Sequence, residues 1–531
     1  MMASMMVFLA TFVTVLLAMF LFFMQDPLLS GSLRMAYVGA YALIVIAAAV
    51  IAYMWSFVRL PARAKQTIAI AAHSVLGIYV VALLFRAVML YRNYSAFIDL
   101  SYYESAVLQF SRFKLARIWD VGSPLWSQHF EPIVFLLVPW YWLGLGGSML
   151  LVVAQAIAAI AGAVPLYKIV RHRLGAHPWV ACAVVAAYLL FGGLQSSYFY
   201  GFHPITFFPF LFLSAVYWYE RKSSLGYAVF LCLALCVKEE ISFVVIAWGL
   251  WLLVGRKDMR WGSVTMAFGL IWYFISFGII SRFHNGGYEY WGQFGGGAGG
   301  GAFGIIQFAL THPLQFVGQF VNDERKVPTL IEMFGSFGFL PFVAPMTLIF
   351  LAPSLLLKLL SNDIAMLDSF HYSAEIAPLL ALAAIEGIRS IRGNKRLMQL
   401  VPVYLGSVAI CANVYYGFAF YYGTYALRLG LTPASDFMIS EESKKLDMAL
   451  VSIPKNATVS CQYQICSHIE RGFWQKLPAP HGETLQYVIV DTKLPLVLTD
   501  KAAMKTYFDT KIVPRYSPVS MSDGIYLLRH N

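Results

Sequence analysis

Apolar runs long enough to cross a bilayer recur along this chain, at about 5–24, 35–57, 67–91, 147–170, 177–199, 261–281 and 397–424. A hydrocarbon core of about 30 Å needs roughly 20 such residues in a helix, so each run predicts a full crossing. The shorter runs carry the irregularities. Residues 132–145 fall short of that length and run into Gly144-Leu145-Gly146-Gly147, which predicts an outer-leaflet or re-entrant helix. The stretch 224–255 is interrupted at its centre by Lys238-Glu239-Glu240. A charged triplet is expensive at mid-bilayer, so two short helices meeting at a watery cavity are expected there. Pro341 and Pro345 split 331–360 in the same way.

Two connecting segments are long, 92–132 and 282–330. In the first, apolar positions recur at helical spacing over 100–118, beside Glu104, Arg112, Lys114 and Arg117, and predict a helix lying on the membrane surface. The second holds a glycine-rich run at 295–301, expected to be a mobile linker or gate. It is not a phosphate loop, because no strand precedes it and no Gly-Lys-Ser/Thr closes it. After Tyr422 the pattern changes: short strands are expected at 458–460, 487–490 and 524–528, with helices at 441–452 and 499–508. The expected organisation is an all-α polytopic membrane protein of about 13 transmembrane helices with a small α/β domain at its end. Its parts are two N-terminal helices in 1–66, a core over 67–424 and the α/β unit over 425–531.

Composition narrows this further. The 531 residues are 60% hydrophobic and 12% charged, and the mean hydropathy is +0.68, which excludes a soluble globule. A formal charge of +11 raises the question of nucleic acid. Much of the excess, however, sits in Arg59/Arg63/Lys65, Lys168/Arg171/Arg173, Arg221/Lys222, Arg256/Lys257/Arg260 and Arg389/Arg392/Lys395/Arg396, each in a gap between apolar runs. Cytoplasmic loops collect positive charge, so membrane topology accounts for these clusters and no nucleic-acid partner is expected. The N-terminus is then cytoplasmic, the C-terminal domain extracytoplasmic, and the expected location is the plasma (inner) membrane. The first run has neither a basic n-region nor a small-residue cleavage site before Gln25-Asp26-Pro27, and reads as a retained span. Cys182, Cys232, Cys236 and Cys411 fall in expected spans. Cys461 and Cys466 fall in the polar tail, where they form either a small disulfide or two free thiols, since spacing alone does not fix geometry.

The same topology places Asp99, His129, Glu131, His203, Lys238, Glu239, Glu240, Asp363, Asp368 and His371 at the outer face. Singly, each has an ordinary explanation. Asp99 fits a helix boundary, His129 and Glu131 fit an interface, His203 sits in an aromatic belt at 198–208, and Lys238 with its neighbours fits a structural ion pair. Together they describe an outward polar cavity.

The ordered set Ile98-Asp99-Leu100-Ser101, Gln128-His129-Phe130-Glu131-Pro132, Phe202-His203-Pro204, Val237-Lys238-Glu239-Glu240, Ser361-Asn362-Asp363 and Phe370-His371-Tyr372-Ser373-Ala374 resembles the DUF2079 family of predicted prokaryotic membrane proteins, over roughly 67–395. The layout also resembles GT-C glycosyltransferases, which take a sugar from a polyprenyl-phosphate carrier on the outer face. That resemblance implies Asp99 as general base, Lys238 as the cation on the lipid phosphate with help from Arg92, and His203 as a further polar group of the catalytic set. His129, Glu131, Glu239, Glu240, Asp363, His371 and Tyr372 are then expected to bind substrate. The implied partners are the lipid bilayer, a polyprenyl-phosphate-linked sugar, and a lipid, glycan or protein acceptor. His129, His203 and His371 either orient the sugar or bind a divalent metal ion; Asp99-Leu100-Ser101 departs from the Asp-x-Asp or Asp-Glu of such enzymes, so the resemblance does not imply metal dependence. The competing class is a secondary transporter or membrane receptor using Lys238 and Glu239 as a coupling pair, although no inverted repeat is found.

Overall fold

The computed structural model describes residues 62–95, 99–118, 123–175, 178–284, 288, 290–291, 294, 301–323, 326–362, 365–368, 371–419, 437–454, 456–469, 474–477, 485–494 and 505–531. The expected crossings at 5–24 and 35–57, the glycines at 295–300 and Asp363 lie outside the described residues.

Among the described residues, Gln66–Arg92, Ser148–Leu174 and Met259–Phe283 are long and apolar enough to cross a membrane. Pro178–Leu190 and Gly192–Phe199 add a fourth if they are one span, bent by 50°. The break falls at Phe191, whose extended backbone (ψ 118°) interrupts the helix. The 224–255 stretch is two helices, Ser224–Leu235 and Ile241–Val254, with Lys238-Glu239-Glu240 in the turn between them. Ser223 caps the first by accepting from the Gly226 amide at 3.3 Å, and Asp258 caps Met259–Phe283 through the Trp261 amide at 3.1 Å. Small residues let Ile241–Val254 and Met259–Phe283 touch backbone to backbone. A Cβ at Gly249 would stand 2.7 Å from the Met266 nitrogen, and one at Gly262 would stand 2.9 Å from the Gly249 oxygen.

One expectation is corrected. The 100–118 segment is a helix only over Asp99–Ser111, and Leu100, Tyr103, Ala106, Val107 and Phe110 are buried. Its apolar stripe faces protein instead of lipid, and Arg112, Lys114 and Arg117 lie exposed beyond its end. Within 282–330 the described residues carry helices at Gly301–Thr311 and Pro313–Gly318, and Phe294 forms a β-bridge with Ser361.

The C-terminal unit holds a five-stranded sheet in the order β2-β1-β3-β5-β4, with β1 Val459–Cys461, β2 Trp474–Lys476, β3 Tyr487–Asp491, β4 Tyr516–Ser522 and β5 Ile525–His530. Strand β1 pairs in parallel with β2 and β3, whereas β5 pairs antiparallel with β3 and β4. Cys461 and Cys466 are joined by a disulfide. The core of this unit, with Leu446, Trp474, Ile489 and Leu527, also includes Tyr94 from beyond the end of helix Ala62–Arg92.

Three helices run from the neighbourhood of the polar loops to the basic clusters: Phe208–Glu220, Ile241–Val254 and Ile376–Ser390. At their far ends Arg173 donates to Glu220 at 2.9 Å and to Glu386 at 2.8 Å. Arg256 donates to Glu220 at 2.8 Å and Arg389 to Glu386 at 3.2 Å. Three of the basic clusters thus meet on two buried carboxylates.

Candidate active site

At the opposite end of those helices lies a cavity of about 460 Å³. Its polar wall comes from separate loops: Asp99 opens helix Asp99–Ser111, His129 and Glu131 precede the 3-10 turn Pro132–Leu137, His203 precedes Pro204–Phe207, and Lys238 and Glu240 come from the inter-helix turn. His371 and Tyr372 complete it. The volume suits a small organic ligand.

Asp99 and His203 touch, with Oδ2 3.4 Å from Nε2. The Asp99 side chain keeps 27% of its surface open, whereas His203 keeps 10%. His203 stacks on His371 with ring centroids 3.5 Å apart and planes 15° apart. Burial pushes both imidazoles below their ordinary value. Asp99 partly opposes this at His203, while the charge of Lys238 adds to it at His371. Both rings are therefore neutral near pH 7. The turn that carries His203 is held from a neighbouring helix by Gln155, whose oxygen accepts from the His203 amide at 3.1 Å. Its amide nitrogen donates to Tyr198 O at 3.2 Å and to Gly201 O.

Glu239 is fully buried behind the wall and saturated. It accepts from His129 Nδ1 at 2.8 Å, the Phe130 amide at 3.0 Å and the Tyr288 hydroxyl at 2.8 Å. Burial works against a charge on His129, but Glu239 outweighs it and holds that imidazole above its ordinary value. Lys238 Nζ lies 3.2 Å from Glu240. Glu131 accepts from the Tyr103 hydroxyl at 2.5 Å, and burial pushes its carboxyl up to about 7, against the pull of His129 and Lys238.

The structure brings Asp99, His129, Glu131, His203, Lys238, Glu240, His371 and Tyr372 to one cavity and sets Glu239 behind it. It removes Arg92, whose Nη2 donates to Asp447 at 3.0 Å in the C-terminal unit, because the helix end carrying it is covered by that unit. The carboxylate against Lys238 is Glu240, since three other donors occupy Glu239. A shared metal ion does not fit the histidines. Among the described residues no three His, Cys, Asp or Glu side chains cluster closely enough to hold one, and two stacked rings cannot both direct a lone pair at one ion. Tyr102, Tyr103, Tyr200, Tyr288 and Tyr290 also line the cavity and were not singled out by sequence. For Gln155 the available signal is a lone amide inside a long apolar run.

Fold and site together define a multi-pass helical membrane protein with an aromatic and carboxylate-lined cavity at one end. The chain belongs to the DUF2079 family, described as a predicted membrane protein, whose profile matches residues 94–527. Among solved structures it is similar to ArnT from Cupriavidus metallidurans bound to undecaprenyl phosphate, at 10% identity over 85% of this chain and 97% of that one, with a TM-score of 0.48. The apo state of ArnT gives 9% identity, 86% and 98% coverage, and a TM-score of 0.45. No curated protein matches the chain.

Proposed function

We propose that this protein is a GT-C-like membrane glycosyltransferase, which moves a sugar from a polyprenyl-phosphate-linked donor to a lipid, glycan or protein acceptor at the outer face. The observation that carries the reading is the pairing, in one cavity, of a partly open carboxylate at Asp99 with a buried ammonium at Lys238. An acceptor hydroxyl attacks the anomeric carbon, Asp99 takes its proton, and the bond from that carbon to the phosphate oxygen breaks with both electrons leaving on phosphate. Lys238 neutralises the departing charge, sharing itself with Glu240. The tyrosines offer faces and hydroxyls to a sugar. Depth supports a lipid-borne substrate. The helices flanking Lys238 have 12 and 14 residues, about 18–21 Å at 1.5 Å per residue, against a hydrocarbon core of about 30 Å. With the basic ends cytoplasmic, the cavity lies below the headgroups on the far side, within reach of a lipid-anchored phosphate. The full topology in this reading has about 13 crossings, an internal N-terminus and an external C-terminal domain in the inner membrane.

The test follows labelled polyprenyl-phosphate-sugar in membranes that contain the parent or a variant. Asp99→Asn lowers transfer by about 10²–10⁴-fold and leaves carrier binding, because its charge acts on the attacking hydroxyl; Lys238→Ala weakens both. Unchanged transfer in both variants sinks the reading. Solute movement across vesicles with no glycoconjugate would favour the transporter class, to which the buried Lys238–Glu240 pair lends its support.

A further inference from the structure

The C-terminal unit grips the chain at Tyr91 to Tyr94, five positions before Asp99. Helix Ala62–Arg92 ends in a turn at Asn93 and Tyr94, and Tyr94 is a buried non-glycine residue at φ 55°. That left-handed conformation costs on the order of 1 kcal/mol for a residue with a Cβ, so surrounding contacts must hold it. All the contacts named next come from the C-terminal unit. His468 stacks on Tyr91 at 4.3 Å and on Tyr94 at 3.9 Å. Asp447 accepts from the Tyr94 hydroxyl at 2.7 Å and from Arg92 at 3.0 Å. The Asn93 side chain donates to Met438 O at 2.8 Å and accepts from the Ser440 amide at 2.9 Å. One helical turn past Asp99, Tyr102 stacks on Trp474 at 5.7 Å while also lining the cavity. The disulfide closes the corner between β1 and the short helix Tyr463–Cys466, two positions before His468.

We infer that the C-terminal unit is the positioning element for the base: His468 and Asp447 clamp the 91–94 turn, Trp474 backs Tyr102, and docking of the unit sets where the Asp99 carboxylate stands against His203. Asp99 is thereby bracketed, five positions after one clamped residue and three before another. A base displaced by about 1 Å loses on the order of 10²-fold in rate, so a remote contact of this kind governs turnover without touching substrate. His468 acts through its ring and not its charge, since burial pulls its pKa down to about 3. The inference rests on the reading of Asp99 as base, but its physical half does not.

Two measurements on the intact detergent-solubilised protein separate the two. Hydrogen exchange over the peptide spanning 91–102 reads docking directly, and labelled-sugar transfer per folded molecule reads its consequence. Asp447→Asn and His468→Ala should speed exchange in that peptide and lower kcat by about 10²-fold, with KM for the carrier held within about twofold because Lys238 is undisturbed. His468→Phe, which keeps the stack, should restore both readouts. The exchange of charges in Arg92→Asp with Asp447→Arg should restore them in part, and both repairs remain informative if a single variant folds poorly. Lys445→Ala, in the exposed Lys445–Asp523 pair of the same unit, should change neither. Slower turnover with unaltered exchange, or faster exchange with full turnover, overturns the inference. A parent that transfers no sugar removes the glycosyltransferase reading, and exchange then still decides whether the C-terminal unit holds this segment.

Discussion

The two ends of the helical body both bury charge, and they do it differently. At the basic end Glu220 and Glu386 are closed off by Arg173, Arg256 and Arg389, each through a directed hydrogen bond. At the cavity end the carboxyls Asp99, Glu131 and Glu240 share the described lining with Lys238 and His129, and Lys358 lies behind it on the Tyr372 carbonyl. There, His203 Nε2 and His371 Nδ1 have no directed hydrogen bond among the described residues; at the basic end Arg173 Nη2 also lacks one, but it lies 2.8 Å from Glu220 as an ion pair. Burying a charge costs several kcal/mol unless partners satisfy it. A closed cluster staples helices together, whereas an open one keeps bonding capacity for something that arrives. The difference between structural and functional charge in this protein is therefore one of saturation, not of depth.

The largest effect that tests the contrast is on chemistry. Asp99→Asn should lower sugar transfer by about 10²–10⁴-fold while the thermal unfolding midpoint stays put, because the side chain is partly open and its contact to His203 is long. Arg173→Ala should do the reverse. The guanidinium is 2% exposed and serves both carboxylates, so its loss leaves them uncompensated and should cost about 3–5 kcal/mol, read as a fall in midpoint with transfer per folded molecule unchanged. Loss of activity without loss of stability at Arg173 would break the comparison. Glu239 sharpens it, because it stands at the cavity end yet is saturated. Glu239→Gln should behave like the basic end, losing about 2 kcal/mol for weakened charge-assisted bonds, with the midpoint falling.

How much of this was readable from the chain depends on whether the cause is local. The two-helix turn at Lys238 was legible because a charged triplet cannot sit mid-span in lipid, and that is a property of the triplet and its neighbours. The burial of helix Asp99–Ser111 was not, since an amphipathic stripe records that something apolar covers it but not whether that is lipid or protein. Arg92 was misread for the same reason: its partner Asp447 is 355 positions away. Tyr288 and Tyr290 reach the cavity from a long loop whose spacing carries no period. In the C-terminal unit the strands around 459, 488 and 526 announced themselves by apolar runs. Strand β2 is only three residues long and β4 is exposed over six of its seven, so neither shows a periodic pattern.

The smallest effect concerns Glu131 and fixes how many negative charges the cavity holds. Its carboxyl is raised from 4.5 to about 7, chiefly by burial. Below pH 4.5 the folded and unfolded forms are both protonated and its contribution to stability is full. As pH rises from there to about 7 the unfolded carboxyl has released its proton while the folded one retains it, so stability is lost progressively. Above 7 the folded group ionises too and the whole penalty is in place, up to about 3 kcal/mol at 1.36 kcal/mol per pKa unit. Glu131→Gln has no such proton, and its amide oxygen still accepts from the Tyr103 hydroxyl. The variant should match the parent at pH 4.5 and stand above it at pH 8, with the gap between the two midpoint curves opening across that window. Curves that stay parallel would mean that Glu131 keeps its ordinary carboxyl pKa in the folded protein and is ionised at pH 7. The cavity end would then carry one more uncompensated charge than the contrast with the basic end assigns to it.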